Sequence, residues 1–564
     1  MKAPMKNFLL CCVCVLMAAT VARADSLDDL ARDFWVWRAQ EQPVSTDDIP
    51  RIERGTEWTP QWSPEAVAGY RKRLVGFEEQ WRGMDGAGWP VARQVDYRLM
   101  GSAIARVRWE LEINRGWQRN PAFYVDQTVG AYMHLLLPPG PFGAARSKQI
   151  VATLEGIPGT LEGARKNLTE PAAPFGKLAV RQLGEIRPQL MKSVSELKPH
   201  LEAAEGKRLD AAAEKASAAL ESYREWMMQK LAAMAAQSGV GREGYVFFLK
   251  NVALLPYTPE ELLQIGHEEW ARSVAFQTYA EHANAGKPEM PTVPSEEAWI
   301  TLEVKDEAYI RRTLEEKKIL TVPPWMKHYT YRAMPGYLEP LEGFGEADDL
   351  TSVSRLKEDG IRYINRPTPE AGFFTKTMQE DPRPLIAHEG VPGHYFQLAL
   401  GWQQADVIRQ HYYDSGANEG IGFYAEEMLQ EAGLFDDSPR TREIIASFMR
   451  LRALRVEVDV KLALGEFSME QAAEYMHRTV PMDLQTARGE VALFATSPGQ
   501  AISYQIGKTQ IMDFLAEARR QKGEGFRLRE FHDFVWVNGN VPIALQRWEY
   551  LGMRDQVARA DSLK

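Results

Sequence analysis

Two histidines and a glutamate in one short run carry the clearest chemical signal in this 564-residue chain. The run is Pro384-Leu385-Ile386-Ala387-His388-Glu389-Gly390-Val391-Pro392-Gly393-His394. In the familiar metal-binding helix, two histidines stand four residues apart, separated by about 40° of rotation and about 6 Å of rise, so both imidazoles reach one ion. Here His388 and His394 are six positions apart. On a straight helix that spacing gives about 120° and about 9 Å, too much for shared coordination. Pro392 cannot donate to the carbonyl of His388, and Gly393 tolerates unusual backbone angles, so a bulge would absorb the two extra residues. The spacing alone leaves open that the histidines are unrelated surface or core residues.

The context downstream favours a shared ion. Asn418-Glu419-Gly420-Ile421-Gly422-Phe423-Tyr424-Ala425-Glu426-Glu427 has a helical pattern, with Asn418 or Ser415 available as its cap. Glu419 supplies the carboxylate, and Gly420 and Gly422 admit another backbone at close range. His388, His394 and Glu419 then form a three-ligand zinc site, one ion per chain, with a fourth position open for water. Glu389, next to the first ligand, is placed to act as general base on the attacking water. Glu426, two turns beyond Glu419, is expected to hold a ligand imidazole through a hydrogen bond, whereas Glu427 reads as a solvated position. His267-Glu268-Glu269-Trp270 has no second histidine at a usable distance downstream and reads as ordinary helix surface.

The elements that must position these residues are mostly helices. Leu27 to Trp117 shows apolar residues at three- and four-residue spacing, punctuated by Pro43, Pro60, Pro64 and Pro90. Long amphipathic helices are predicted between about Ser147 and Ala236, broken at Pro158, Pro188 and Pro199. Thr258 and Pro259 cap and open a helix running toward Ala283. The segment from about Pro288 to Thr377 is richer in Pro, Gly and Tyr, with short strands predicted at Arg362-Tyr363-Ile364-Asn365 and Phe373-Phe374-Thr375. The expected fold is mostly α, one large multi-helix body over residues 25–564 with minor β segments, arranged as two lobes around a cleft.

The ends and composition narrow the setting. Lys2 and Lys6, an apolar run from Phe8 to about Val21, and Ala22-Arg23-Ala24 have the layout of a cleavable signal peptide over residues 1–24, implying a periplasmic or secreted protein. Cys11, Cys12 and Cys14, the chain's 3 cysteines, leave with it, so the mature chain has no disulfide. No later stretch approaches the roughly 20 apolar residues of a membrane span. A net charge of -10, with both signs interspersed, argues against nucleic acid as a partner.

These residues resemble the bacterial domain-of-unknown-function 885 family, itself similar to helical zinc carboxypeptidases and angiotensin-converting-enzyme-like peptidases. The likeness spans most of the mature chain. It is carried by His388-Glu389-Gly390-Val391-Pro392-Gly393-His394, by Glu419-Gly420 with Tyr424-Ala425-Glu426, by Ser497-Pro498-Gly499-Gln500-Ala501-Ile502-Ser503-Tyr504-Gln505-Ile506-Gly507, and by Phe531-His532-Asp533 with Asn538-Gly539 and Pro542. The resemblance implies a helical body with a deep central cleft and a zinc site from the ligands above. It also implies that Tyr504 donates to the oxyanion and that Gln500 contacts substrate; a buried helix packing a satisfied phenol is the competing reading. The chain departs from the family after Asp459, where Lys461 and Ala463 stand in place of a Gly and a His, so no substrate role is carried over to that helix.

The function expected is hydrolysis of short peptides by a zinc metallopeptidase. The same groups would serve a zinc amidase acting on a non-peptide small molecule, and a catalytically silent periplasmic binding or scaffold protein would keep the same helical shell. A product assay separates the first two, and the retained Glu389 argues against the third.

Overall fold

The structure, a computed structural model, describes residues 26–45 and 52–564. The expected signal segment 1–24 lies outside the described residues. Helices dominate, and their starts follow local chemistry. Ser63 accepts from the Ala66 amide ahead of Pro64–Arg82. Thr258 and Glu261 form a reciprocal capping box at the start of Pro259–Ala283, as the sequence predicts. Pro158 differs from expectation: it lies inside Ala144–Asn167 without ending it. The hydrogen bond forfeited there is offset by burial of Ile157, Thr160 and Leu161 on the same stretch.

One small sheet is present among the described residues. Strand β1 (Tyr329–Ala333) runs parallel to β3 (Gly360–Ile364), and β2 (Asp348–Asp349) joins the other side of β3 antiparallel. The strand predicted at Arg362–Asn365 falls largely within β3. Phe373-Phe374-Thr375, predicted as a strand, instead opens the helix Phe373–Glu380. Both phenylalanines pack against Phe448, at ring separations of 5.9 and 6.1 Å, and that tertiary contact overrides their strand preference.

Two large cores hold the elements together. The first gathers side chains from Leu27 through Met227 and is joined by Tyr337, Tyr363, Tyr412 and Leu545. The second runs from Val293 to Ile543 and includes Ile386, Ile421, Tyr504 and Trp536. Within this second region, Ser415–Glu431 lies against Gln500–Lys522, and Thr441–Leu464 packs on both Pro259–Ala283 and Gln500–Lys522. Thr441–Leu464 is buried around nearly its whole circumference, including Arg452, Arg455 and Asp459, as befits a helix at the centre of a bundle.

Backbone proximity explains two glycines. A Cβ on Gly507 would lie 1.9 Å from the Gly416 carbonyl oxygen, and one on Gly420 would lie 2.6 Å from the Gly507 carbonyl carbon. Gly507→Ala should therefore force the two helices apart and cost about 3 kcal/mol or more, measurable by chemical denaturation.

His532 tests the second core through pH. Its Nδ1 donates to the Ile319 carbonyl at 2.8 Å and its Nε2 accepts from the Tyr424 hydroxyl at 2.9 Å. Burial pushes its pKa down to about 4, against roughly 6.5 in an unfolded chain. The unfolded chain therefore binds the proton first as pH falls. This contribution is complete above about pH 6.5 and is lost as pH drops toward 4, by about 3 kcal/mol. The stability advantage of wild type over His532→Gln should shrink across that window in denaturation curves.

Candidate metal centre

The ligand run is not one distorted helix but two elements meeting at a break. Ile386–Gly390 forms a wide turn carrying His388 and Glu389. Val391 is extended, and His394 is the first residue of a new helix, His394–Trp402. The expected local widening is present as the single π turn Ile386–Gly390, and the six-residue spacing is completed by a change of direction after it. Gly393 is needed for room: a Cβ there would fall 1.6 Å from the His388 carbonyl oxygen. The Pro392 carbonyl accepts from the Trp536 indole at 2.6 Å, fixing the break to the helix Leu528–Val537.

This arrangement brings all three expected ligands together. Donor atoms of His388, His394 and Glu419 lie within 4.8 Å of one another, and all three residues are buried. Glu419 Oε2 stands 3.4 Å from His388 Nε2 and 3.2 Å from His394 Nε2. The two imidazoles meet edge to face, 4.7 Å apart at 84°. Gly422 makes their space: its missing Cβ would sit 3.0 Å from His388 Cε1 and 3.1 Å from His394 Cε1. Gly420 receives a backbone and Gly422 receives the ligand rings.

The donor set fits a divalent ion. Glu419 Oε2 is buried and accepts no hydrogen bond from the described residues, an arrangement that is costly for a carboxylate without a cation. Two neutral nitrogens and one carboxylate oxygen match a catalytic zinc site with an open position. Burial drives the His388 pKa down to about 3, keeping its ring neutral and able to coordinate. Its Nδ1 donates to Glu426 Oε1 at 2.7 Å, which leaves Nε2 facing the cluster. Arg452 braces that carboxylate at 3.0 Å. Glu389 Oε2 lies 4.0 Å from His394 Nε2 and keeps 19% of its side chain exposed, so it borders the cluster without being sealed inside it.

The surroundings of Gln500 and Tyr504 extend the site. Gln500 Nε2 reaches Glu419 Oε1 at 3.4 Å, and Ser415 Oγ donates to Gln500 Oε1 at 2.8 Å. Gln500 therefore steadies a ligand carboxylate as well as facing outward. It forms part of the wall of a cavity of about 160 Å³, together with Ser415, Arg106, Trp109, Trp117 and Phe248. Tyr504 stacks on His388, with centroids 6.0 Å apart at 18°, and the Arg455 guanidinium lies 4.6 Å from its ring centre.

The family model for bacterial proteins of unknown function, DUF885, matches residues 52–548. This chain belongs to the DUF885 family. No curated protein matches it. A solved structure of a candidate lipoprotein of unknown function from Shewanella oneidensis is 17% identical, with a TM-score of 0.69 over 94% of this chain and 99% of that one. A candidate lipoprotein from Colwellia psychrerythraea is 18% identical, with a TM-score of 0.74 over 97% of this chain and 100% of that one. These likenesses show that the DUF885 chain shares their fold.

Several positions in the DUF885 chain differ from the sequence reading. The cap of Ser415–Glu431 is Asp414, which accepts from the Ala417 amide; Ser415 and Asn418 face inward, to Gln500 and Gln397. Glu427 is not solvated but buried, paired with Lys508 at 2.7 Å and Arg272 at 3.1 Å. Asp459 builds the site in a way its sequence context does not announce. Its carboxylate accepts from the Gly499 and Ala501 amides at 2.9 and 2.8 Å and from Tyr245 at 3.1 Å, anchoring the start of the Gln500 helix. The sequence signal at this contact is the Pro498-Gly499 pair, whose glycine takes a positive φ.

Glu426→Gln should weaken zinc binding about 10- to 100-fold, because the neutral amide orients His388 less strongly. Competition with a chromophoric chelator measures this; unchanged affinity would contradict the assigned contact.

Proposed function

We propose that this DUF885 protein is an exported zinc-dependent metallopeptidase acting on short peptides. The observation that carries the reading is the orphaned Glu419 Oε2 set against two imidazole nitrogens, with the partly exposed Glu389 beside them. This juxtaposition supplies a ligand set and a base at one spot, the combination that amide hydrolysis needs. The resemblance to helical zinc carboxypeptidases supports the peptide assignment. Export is supported by the leader-like first 24 residues and accords with the description of both structural neighbours as candidate lipoproteins. Among the described residues no helix is long and apolar enough to cross a membrane.

Zinc, when bound, acidifies water and polarises the substrate carbonyl. Each remaining role falls to a residue of the chain. Glu389 takes the proton of the attacking water and delivers it to the departing amine. His388, oriented by Glu426 and Arg452, keeps Nε2 toward the centre. Tyr504, whose ring faces His388, offers its hydroxyl to the oxyanion that develops on the carbonyl oxygen. Gln500 presents substrate to the centre from the cavity wall.

Glu389→Gln should retain about one zinc per chain and lose hydrolysis about 100-fold or more. Metal analysis and mass spectrometry of a mixed dipeptide and tripeptide library check both halves. Zinc retention with no cleavage of any peptide by wild type would remove the peptidase reading and leave a non-peptide amidase or a binding protein.

A further inference from the structure

Three of the cations that could anchor a peptide carboxylate are already engaged. Arg362 donates to Asp348 at 2.7 Å, Arg455 pairs with Glu490 at 2.6 Å, and Lys508 pairs with Glu427 at 2.7 Å. Arg54, in the cavity wall, spends its guanidinium on the Ala39 and Gln42 carbonyls and lies over Trp58. Arg106 is different. It is half-buried and its side chain makes no hydrogen bond or ion pair with the described residues, yet it lines the same cavity as Gln500 and Ser415.

Its placement follows from the helix Val91–Arg108. Ser102, one turn earlier on the same face, shares a hydrogen bond with the Tyr412 hydroxyl at 2.7 Å and donates to the Val252 carbonyl at 2.6 Å. That docking holds Arg106 over the segment leading into the Glu419 helix, where it also borders Asp414, Ser415 and Gly416. From there a short polar relay runs inward: Ser415 donates to Gln500, and Gln500 reaches Glu419. The other charges facing the cavity include Glu110, neutralised by Arg38 at 2.6 Å, and Asp126. The buried Asp414 carboxylate feels Arg106 through space and accepts from the Ala417 amide.

We infer that Arg106 is the anchor for the substrate's free C-terminal carboxylate, so that the enzyme removes residues from, or splits, short peptides that end in an unblocked acid. The inference rests on the peptidase reading above and deepens it. A guanidinium facing a cavity with no hydrogen-bond or ion-pair partner among the described residues is suited to bidentate capture of a carboxylate. Trp109, Trp117 and Phe248 share the cavity wall with it, and apolar surroundings strengthen such a pairing. The distance between the anchored carboxylate and the metal cluster then selects which peptide bond meets Glu389.

The test uses the full-length zinc-loaded protein with the Glu389→Gln background to prevent turnover, titrated calorimetrically with trialanine and with trialanine amide. The acid is expected to bind at least about 10-fold more tightly than the amide, Arg106→Gln should erase that preference, and Arg106→Lys should restore part of it. Equal affinity for acid and amide, or a preference that survives Arg106→Gln, overturns the anchor while leaving the peptidase reading intact. Equal weakening of both ligands by Arg106→Gln assigns the residue a structural role and also overturns it. Binding of neither ligand sinks the peptide reading and the anchor together.

Discussion

Where Gly507 crosses Gly416 and Gly420, two helix backbones approach to a distance that leaves no space for a single methyl group. Much of the metal centre follows from that crossing. It presses Glu419 into a site with no solvent access and places Gln500 at its other oxygen. A carboxylate so enclosed has lost its hydration, a loss of several kcal/mol unless positive charge replaces it. Nearby, Glu426 is matched by Arg452, and burial keeps His388 neutral. The inner cluster is therefore short of positive charge, a deficit that a cation held by the three donors would relieve.

Around this cluster the fold devotes buried polar residues to orientation. Asp459 caps the helix that delivers Gln500 and Tyr504. Glu427 and Lys508 tie the Glu419 helix to the Gln500 helix a second time. The small sheet contributes from the opposite side, since the Tyr329 ring lies so near Gly390 that a Cβ there would be 2.6 Å away. The turn that carries Glu389 is thus packed against a strand, although the sheet is minor in extent.

Helix identity, the Thr258 cap and the membership of the ligand cluster were legible in the sequence because they depend on local spacing and residue type. The path between His388 and His394 was not. Proline and glycine announce a departure from helix, but whether the chain bulges or turns depends on what packs against it, here Trp536 and the His388 carbonyl. Phe373 and Phe374 misled for a similar reason: their partner Phe448 is remote in sequence. The buried pairing of Glu427 and the open setting of Arg106 were likewise invisible, since charged residues look alike until their neighbours are assembled.

The break between the two histidines is held by the protein's own contacts: the Gly393 fit against His388, the Trp536 bond to Pro392, and the Arg452–Glu426–His388 chain. None of these requires an ion. The donor atoms are consequently preorganised, in contrast to small zinc modules whose chains fold only around their metal. An ion bound at these donors would spend little on ordering the chain, and exchanging one divalent ion for another would leave the bundle's own contacts in place.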